Sequence, residues 1–311
     1  MINNLLSIHP KIKEALLNNK PVVALESSFI AHGLPYPTNL ELCSDMVSII
    51  KKRGVHPAVT AIINGKIKIG LDDSEIEELA SSGEKIFKAS ASDFGVLLAK
   101  GAKGATTVAG TIYAAHMAGI KIIVTGGIGG VHREGYRTLD ISQDLNVLSS
   151  LPVTVVSAGA KAILDIKLTL EYIETAGVAV IGYKTSYFPS FYSCTSPYLL
   201  NHRAESAVEI AEIIQCYYRL KWQRGLLIAN PLPDHDSLSA EYLNNVINKA
   251  LDKAKELNIS GKSLTPFLLN YIVDISEGKC LKANLSLLKN NAVLAADISY
   301  SYHELKSKNN F

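Results

Sequence analysis

Short runs of consecutive apolar residues alternate with runs whose apolar positions recur every three or four residues, and the alternation persists along most of the chain. "PVVALESS" (Pro21 to Ser28) reads as a buried strand. Thr38 to Arg53 reads as a helix with Leu40, Cys43, Val47 and Ile50 on one face. Thr38 and Glu41 are spaced as a capping box, and Gly54 suits the left-handed position past its end. "AVTAIINGKIKIG" places Asn64-Gly65 between two apolar runs, the signature of a tight hairpin. Ser74 and Glu77 are spaced to begin another capped helix. "KIFKAS" reads as a strand, "SDFGVLLAKG" as a short helix closed by Gly101, and Ala109 to Ala118 as a helix.

Lys121 to Thr125 and "LPVTVVSAG" read as strands, Ile163 to Thr175 as a helix, and "VAVIGY" as a strand again. Glu205 to Tyr218, Ser239 to Leu257 and Pro266 to Ile275 read as helices, with "GLLIAN" as a strand between the first two. Thr265 and Pro266 are expected at the N-cap and first position of the last of these. Strand and helix in this order predict an α/β sandwich around a mostly parallel sheet. No repeat or long linker interrupts the pattern, so residues 1–311 are expected to form one domain. In such sheets ligands gather outside the carboxyl ends of the strands, which singles out the polar residues found there.

Composition narrows the partners. The chain has 311 residues, 48% hydrophobic and 19% charged, with a net charge of +2. No chain-wide field calls for nucleic acid or an anionic membrane, so any anion site must be local. The N-terminal stretch is too polar for a signal peptide, and no apolar run approaches the ~20 residues of a membrane span. Cys43, Cys194, Cys216 and Cys280 are widely spaced, which suggests reduced thiols in a cytoplasmic protein rather than a disulfide frame or a zinc site.

Several polar residues stand where strands should end: Glu26, Lys88, Thr106, Thr107, the run Gly126 to Gly130, and Lys161. Lys161 has Gly159, Ala160, Ala162, Ile163 and Leu164 for neighbours. Desolvation disfavours a lysine's ammonium form, and a neutral amine can add to a carbonyl or conjugated carbon to form a Schiff base. The structural alternative is a snorkelling lysine, or one paired with Asp165. Glu26 follows four apolar residues, a setting that raises a carboxyl's pKa and suits a general acid; a loop-capping carboxylate is the alternative. "GGIGGVHR" lacks both a Walker ending and GxGxxG spacing. It reads either as bare backbone for a phosphate, which His132 and Arg133 favour, or as a tight turn. Asp140 and Asp144 suggest a hard divalent cation, or helix capping near Ser142. His32 reads as a loop residue without a special task, and "SYFPSFYS" as an aromatic packing loop, with nucleobase stacking as the alternative.

"ALESSFIAHGLPYPTNLE", "GATTVAGT", "TGGIGGVHR", "DISQDL", "SAGAKAILDI", "GYKTSYFPSFY" and "LKANLSLLKNNAVLAA" together resemble the pseudouridine-5′-phosphate glycosidase family, from about Pro21 to Ser299. The resemblance implies a three-layer α/β/α sandwich. It also implies a homotrimer, a divalent metal described as Mn²⁺, and reversible cleavage of pseudouridine 5′-phosphate by water to uracil and ribose 5-phosphate. Carried over by position, it makes Glu26 the proton donor, Lys161 the imine-forming nucleophile and Asp140 the metal ligand. Lys88, Val108, Ser142, Gln143 and Asp144 match substrate-contacting positions, and Thr107, Thr125, His132 and Asn284 fall in motifs lining the same pocket. The chain departs from the family at Ser157, where Cys is usual, in the middle of "HREGYRTLD", and at Gln143, where "SAD" is usual for "SQD". A Schiff-base aldolase or lyase acting on a sugar phosphate would share the lysine and the acid. A non-catalytic nucleotide or sugar-phosphate binder would need neither.

Overall fold

The computed structural model describes residues 5–259 and 264–308, apart from the side chains of Glu84, Thr265, Pro266 and Lys308. Its strands are β1 (Leu6–Ile8), β2 (Val22–Leu25), β3 (His56–Ile63), β4 (Lys66–Ile69), β5 (Phe87–Ala89), β6 (Gly104–Thr106), β7 (Ile122–Val124), β8 (Thr154–Ser157), β9 (Ala179–Tyr183), β10 (His202–Ala204) and β11 (Leu226–Ala229). Its α-helices are α1 (Pro10–Leu17), α2 (Thr38–Lys52), α3 (Asp73–Ser82), α4 (Phe94–Ala99), α5 (Val108–Ala118), α6 (Gly135–Thr138) and α7 (Gln143–Leu148). They continue with α8 (Ile166–Thr175), α9 (Ala207–Arg219), α10 (Ala240–Glu256), α11 (Leu264–Ile275) and α12 (Lys279–Lys308).

Seven parallel strands form the central layer in the order β3-β2-β7-β8-β11-β9-β10. β2, β7, β8 and β11 are buried along their whole length, as expected of strands covered on both faces. On one face α12 lies across β2, β7 and β8, between α2 and α9. On the other, α5 packs on β2, β3 and β7 beside α7. The fold is therefore an α/β/α sandwich with a mostly parallel sheet.

β3 serves three partners. Its first half pairs parallel with β2, and its second half pairs antiparallel with β4 and β6. The predicted hairpin joins β3 to β4, with Asn64 at φ 50° and Gly65 at φ 70°, the two left-handed residues of a type I′ turn. β5 then pairs with β6, so Lys88 stands on a small side sheet at the flank of the main one.

Two predicted caps sit elsewhere. Pro37, not Thr38, occupies the N-cap of α2, with no side-chain cap bond, so the Thr38–Glu41 box does not form. Asp72 and Glu75 make the capping box of α3, two residues before the Ser74–Glu77 pair, because Asp72 offers a carboxylate to the Glu75 amide at 2.9 Å. α11 begins at Leu264, and the predicted Thr265–Pro266 cap lies outside the described side chains. Among the described residues, no helix is long and apolar enough to cross a membrane.

Candidate active site

Three adjacent parallel strands deliver the main reactive groups. Glu26 follows β2, the glycine run follows β7, and Lys161 stands four residues past β8. The β7–β8 pairing continues beyond the strands: Ile128 bridges Ala160, and the Lys161 amide donates to the Ile128 carbonyl at 3.0 Å. The loop carrying Lys161 is thus an extension of the sheet. Asp165, the alternative partner for Lys161, instead caps α8 by accepting the Leu168 amide at 2.9 Å.

Glu26 is 3% exposed. Its carboxyl accepts the Ser28 hydroxyl at 2.7 Å and the Thr125 hydroxyl in a short hydrogen bond. Burial raises its pKa above the ordinary carboxylate value; the charge of Lys161 and the bonds from Thr125 and Ser28 oppose this, and Asp144 adds to it. Thr125, fully buried, is held from behind. The Asn291 amide of α12 donates to the Thr125 carbonyl at 2.8 Å and accepts from Asn230 at 2.9 Å.

Two chambers meet at Lys88 and Lys161, which line both. Glu26, Ser28, Phe29, His32, Phe191, Asn284 and Leu288 line the inner one, a narrow and largely apolar slot. His32, read from the sequence as a loop residue without a special task, thus lines the slot. Phe191, from the aromatic loop, reaches the same slot from a left-handed backbone at φ 60°. The outer chamber, of about 350 Å³, is lined by Lys88, Ser90, Ser92, Thr107, Gly129, His132, Asp140, Ser142, Gln143, Asp144 and Lys161. Burial is the main influence lowering the His132 pKa; Asp140 opposes it, while Lys88 and Lys161 add to it. Three nitrogen bases, Lys88, Lys161 and His132, thus share one chamber, a setting that favours an anion.

The glycine run does not cradle a phosphate with all its amides. The Ile128 amide goes to the Gly159 carbonyl, the Gly129 amide to Asp144 at 2.8 Å and the Val131 amide to Thr169 at 3.0 Å. None of the four glycines has a positive φ. Close approach is what demands them: a Cβ on Gly127 would meet Phe191 at 2.6 Å, and one on Gly129 would meet Ser142 at 2.2 Å. Asp144, 5% exposed, spends its second oxygen on the Ala109 amide at 2.8 Å and so ties the run to the start of α5. Both its oxygens thus anchor backbone amides, and it lines the outer chamber together with Asp140. Val108 is 1% exposed and lines neither chamber. Among the described residues, no three His, Cys, Asp or Glu side chains group as a metal cage.

Residues 11–301 match the model of the family described as indigoidine synthase A like protein. The chain is 48% identical to a pseudouridine-5′-phosphate glycosidase of Geobacillus kaustophilus, over 96% of this chain and 99% of that one. It is 45% identical to that of Escherichia coli, over 97% and 96% respectively. The chain belongs to the pseudouridine-5′-phosphate glycosidase family. Among solved structures, the prealnumycin C-glycosynthase AlnA in complex with ribulose 5-phosphate superposes with a TM-score of 0.90 at 38% identity, covering 98% of this chain and 99% of that one. An indigoidine synthase A-like protein from Thermotoga maritima superposes at 0.87 with 34% identity, covering 96% and 97%. The sequence reading did not assign Ser28, His32 or Asn291 to the site, though Ser28 stands two residues past Glu26; tertiary packing brings in the other two. Phe191 lies in the aromatic loop for which nucleobase stacking was the alternative reading.

Proposed function

We propose that the chain catalyses reversible cleavage of pseudouridine 5′-phosphate to uracil and ribose 5-phosphate, with Lys161 as imine-forming nucleophile and Glu26 as proton donor. One observation carries the reading: a buried carboxyl with a raised pKa and a lysine amine line one narrow chamber, next to a wider one rich in nitrogen bases. The reading also draws on the names of the relatives.

A base joined to ribose through carbon has no leaving heteroatom, so the two-carboxylate route of ordinary glycosidases is closed to it. Glu26 protonates the ring oxygen as the bond from that oxygen to the anomeric carbon breaks, and the electron pair comes from the conjugated uracil. The neutral Lys161 amine adds at the anomeric carbon, and the proton its nitrogen releases goes to uracil C5. The carbon–carbon bond then breaks, its electron pair restoring the uracil double bond while the lysine lone pair forms the imine. Water hydrolyses the imine, releasing ribose 5-phosphate and free Lys161. Lys88 and His132 hold the phosphate, and the inner slot takes the uracil between Phe191 and Asn284.

A divalent ion, Mn²⁺ by family resemblance, suits Asp140. Asp140 is half-buried on a roomy chamber, and hard cations held by one carboxylate keep several waters. When bound, such an ion neutralises charge beside the phosphate. Three copies of the chain form the working enzyme.

Incubation with Mn²⁺, uracil and ribose 5-phosphate should yield the C-nucleotide by mass spectrometry. Borohydride should trap ribose 5-phosphate on Lys161, and Lys161→Ala should lose the adduct together with at least about a thousandfold in rate. Uracil-independent consumption of ribose 5-phosphate would point to an aldolase or lyase. Full activity in the alanine variant would remove Lys161 from the mechanism.

A further inference from the structure

Gln143 opens α7, and its side chain makes contacts that an alanine could not. Its Oε1 accepts the Ser90 hydroxyl at 2.5 Å and the Ser92 backbone amide at 3.1 Å. A backbone N–H can only donate, so the atom facing Ser92 is the oxygen. The Ser90 hydroxyl spends its proton on Gln143 and receives one from Thr107 at 3.4 Å. Thr107 in turn caps α5 through the Gly110 amide at 3.3 Å. A directed chain therefore runs from the start of α5, through the turn after β5, to the start of α7.

Those three segments are walls of the outer chamber. The turn after β5 carries Lys88 and Ser90, the start of α5 carries Thr107, and the start of α7 carries Ser142 and Gln143. No strand pairing joins the β5 turn to α7, since β5 pairs only with β6, on the side sheet. The hydrogen bonds from Ser90 and Ser92 to Gln143 link these two walls directly.

We propose that Gln143 is a positioning residue that sets the spacing between Lys88 and the Ser142–Asp144 segment, and thereby the affinity for the phosphorylated sugar. The proposal rests on the reading that this chamber receives the sugar phosphate. Loss of the latch lets the Ser90–Ser92 turn, and Lys88 with it, relax away from the phosphate. Glu26 and Lys161, held by β2 and by the extension of β8, keep their places.

The test is a double-mutant cycle on Gln143→Ala and Ser90→Ala, read as KM for pseudouridine 5′-phosphate and as the Kd for ribose 5-phosphate by calorimetry. Two lost hydrogen bonds correspond to a rise of about tenfold in both quantities for Gln143→Ala, with kcat falling less than threefold. Ser90→Ala should give a smaller rise, and the double variant should match Gln143→Ala rather than the product of the two, because both changes open one latch. KM and Kd within twofold of wild type in Gln143→Ala would overturn the proposal. So would a fall in kcat at unchanged KM, which would assign Gln143 to the chemistry. Multiplicative effects in the double variant would also overturn it, by separating the two residues. If Gln143→Ala does not fold, Ser90→Ala alone decides, since an unchanged Kd there breaks the chain. A wild-type protein that binds ribose 5-phosphate without turning it over would sink the functional reading while leaving the calorimetric arm intact.

Discussion

Glu26 shows how a single carboxyl acquires a task from its surroundings. Four apolar strand residues precede it, and burial lifts its pKa above the ordinary 4.5. The native state then keeps a proton that the unfolded chain has already released. Stability from this group is therefore complete below the ordinary value and is lost as pH climbs toward the raised one. Glu26→Gln, which mimics the protonated form, should gain in Tm relative to wild type as pH rises above about 4.5. A difference that stays flat or narrows in thermal melts would contradict the raised value. The same variant should lose about a hundredfold or more in kcat, and with it the fall in rate that wild type shows as pH rises through the Glu26 pKa. Asp140→Ala tests the metal reading separately: Mn²⁺ affinity by calorimetry should drop, and an unchanged isotherm would remove Asp140 as the ligand. Glu26 and Lys161 were legible in the sequence because strand-exit polar residues stand out against apolar runs. Their meeting was not, since 135 positions separate them and only the order β2-β7-β8 makes their strands neighbours.

Among the elements, the glycine run is where local reading and tertiary structure part company. Four glycines in five residues suggest conformational freedom or an anion cradle, yet the run is an extension of the sheet whose bare backbone admits Phe191, Ser142 and Thr169. Gly129→Ala would place a methyl 2.2 Å from the Ser142 hydroxyl and 2.8 Å from Asp144, prising Asp144 from the amide it holds. Overpacking of this kind costs about 1–3 kcal/mol, and the exposed end of a broken buried bond adds to it. Urea unfolding should show the loss, and a midpoint equal to wild type would mean the run can move aside freely. Elsewhere the longer strands and helices between Pro21 and Leu257 were legible from their periods, with their errors at the ends. The Asp72 cap was missed because Asp-x-x-Glu and Ser-x-x-Glu overlap in that stretch and only backbone geometry chooses between them. β1, β6 and β10 are three residues long, too short for a period to show. α12 escaped as an element for another reason. It lies across three strands between two other helices, so its buried residues, among them Asn284 and Asn291, do not form one clean apolar stripe.

At the scale of the molecule, the apolar surface left over by one chain bears on its assembly. Along Glu205–Tyr218 the sequence spreads Val208, Ile210, Ala211, Ile213, Ile214, Tyr217 and Tyr218 over more than one helix face. In the structure α9 buries Ile210, Ala211 and Ile214 against the core, while Val208 remains 49% exposed. Close by in sequence, Leu220 is 73% exposed and Trp222 40%. Leu199 is 70% exposed and Tyr187 45%, beside the β10 edge of the main sheet. Single exposed apolar side chains are ordinary, whereas groups of large ones flanking a sheet edge are the kind of surface that oligomers cover. Family resemblance puts the number of copies at three, and closed rotational symmetry is the usual arrangement for soluble homo-oligomers. Light scattering at micromolar concentration should therefore return about three times the chain mass of 33.6 kDa. Replacing Leu199 and Leu220 by Asp, each alone, asks which surface is used, since a charge at a buried contact should lower the mass while one on a free face should not. A wild-type mass of one chain would refute the trimer, and neither the chamber geometry nor the chemistry assigned to Glu26 and Lys161 would change with it.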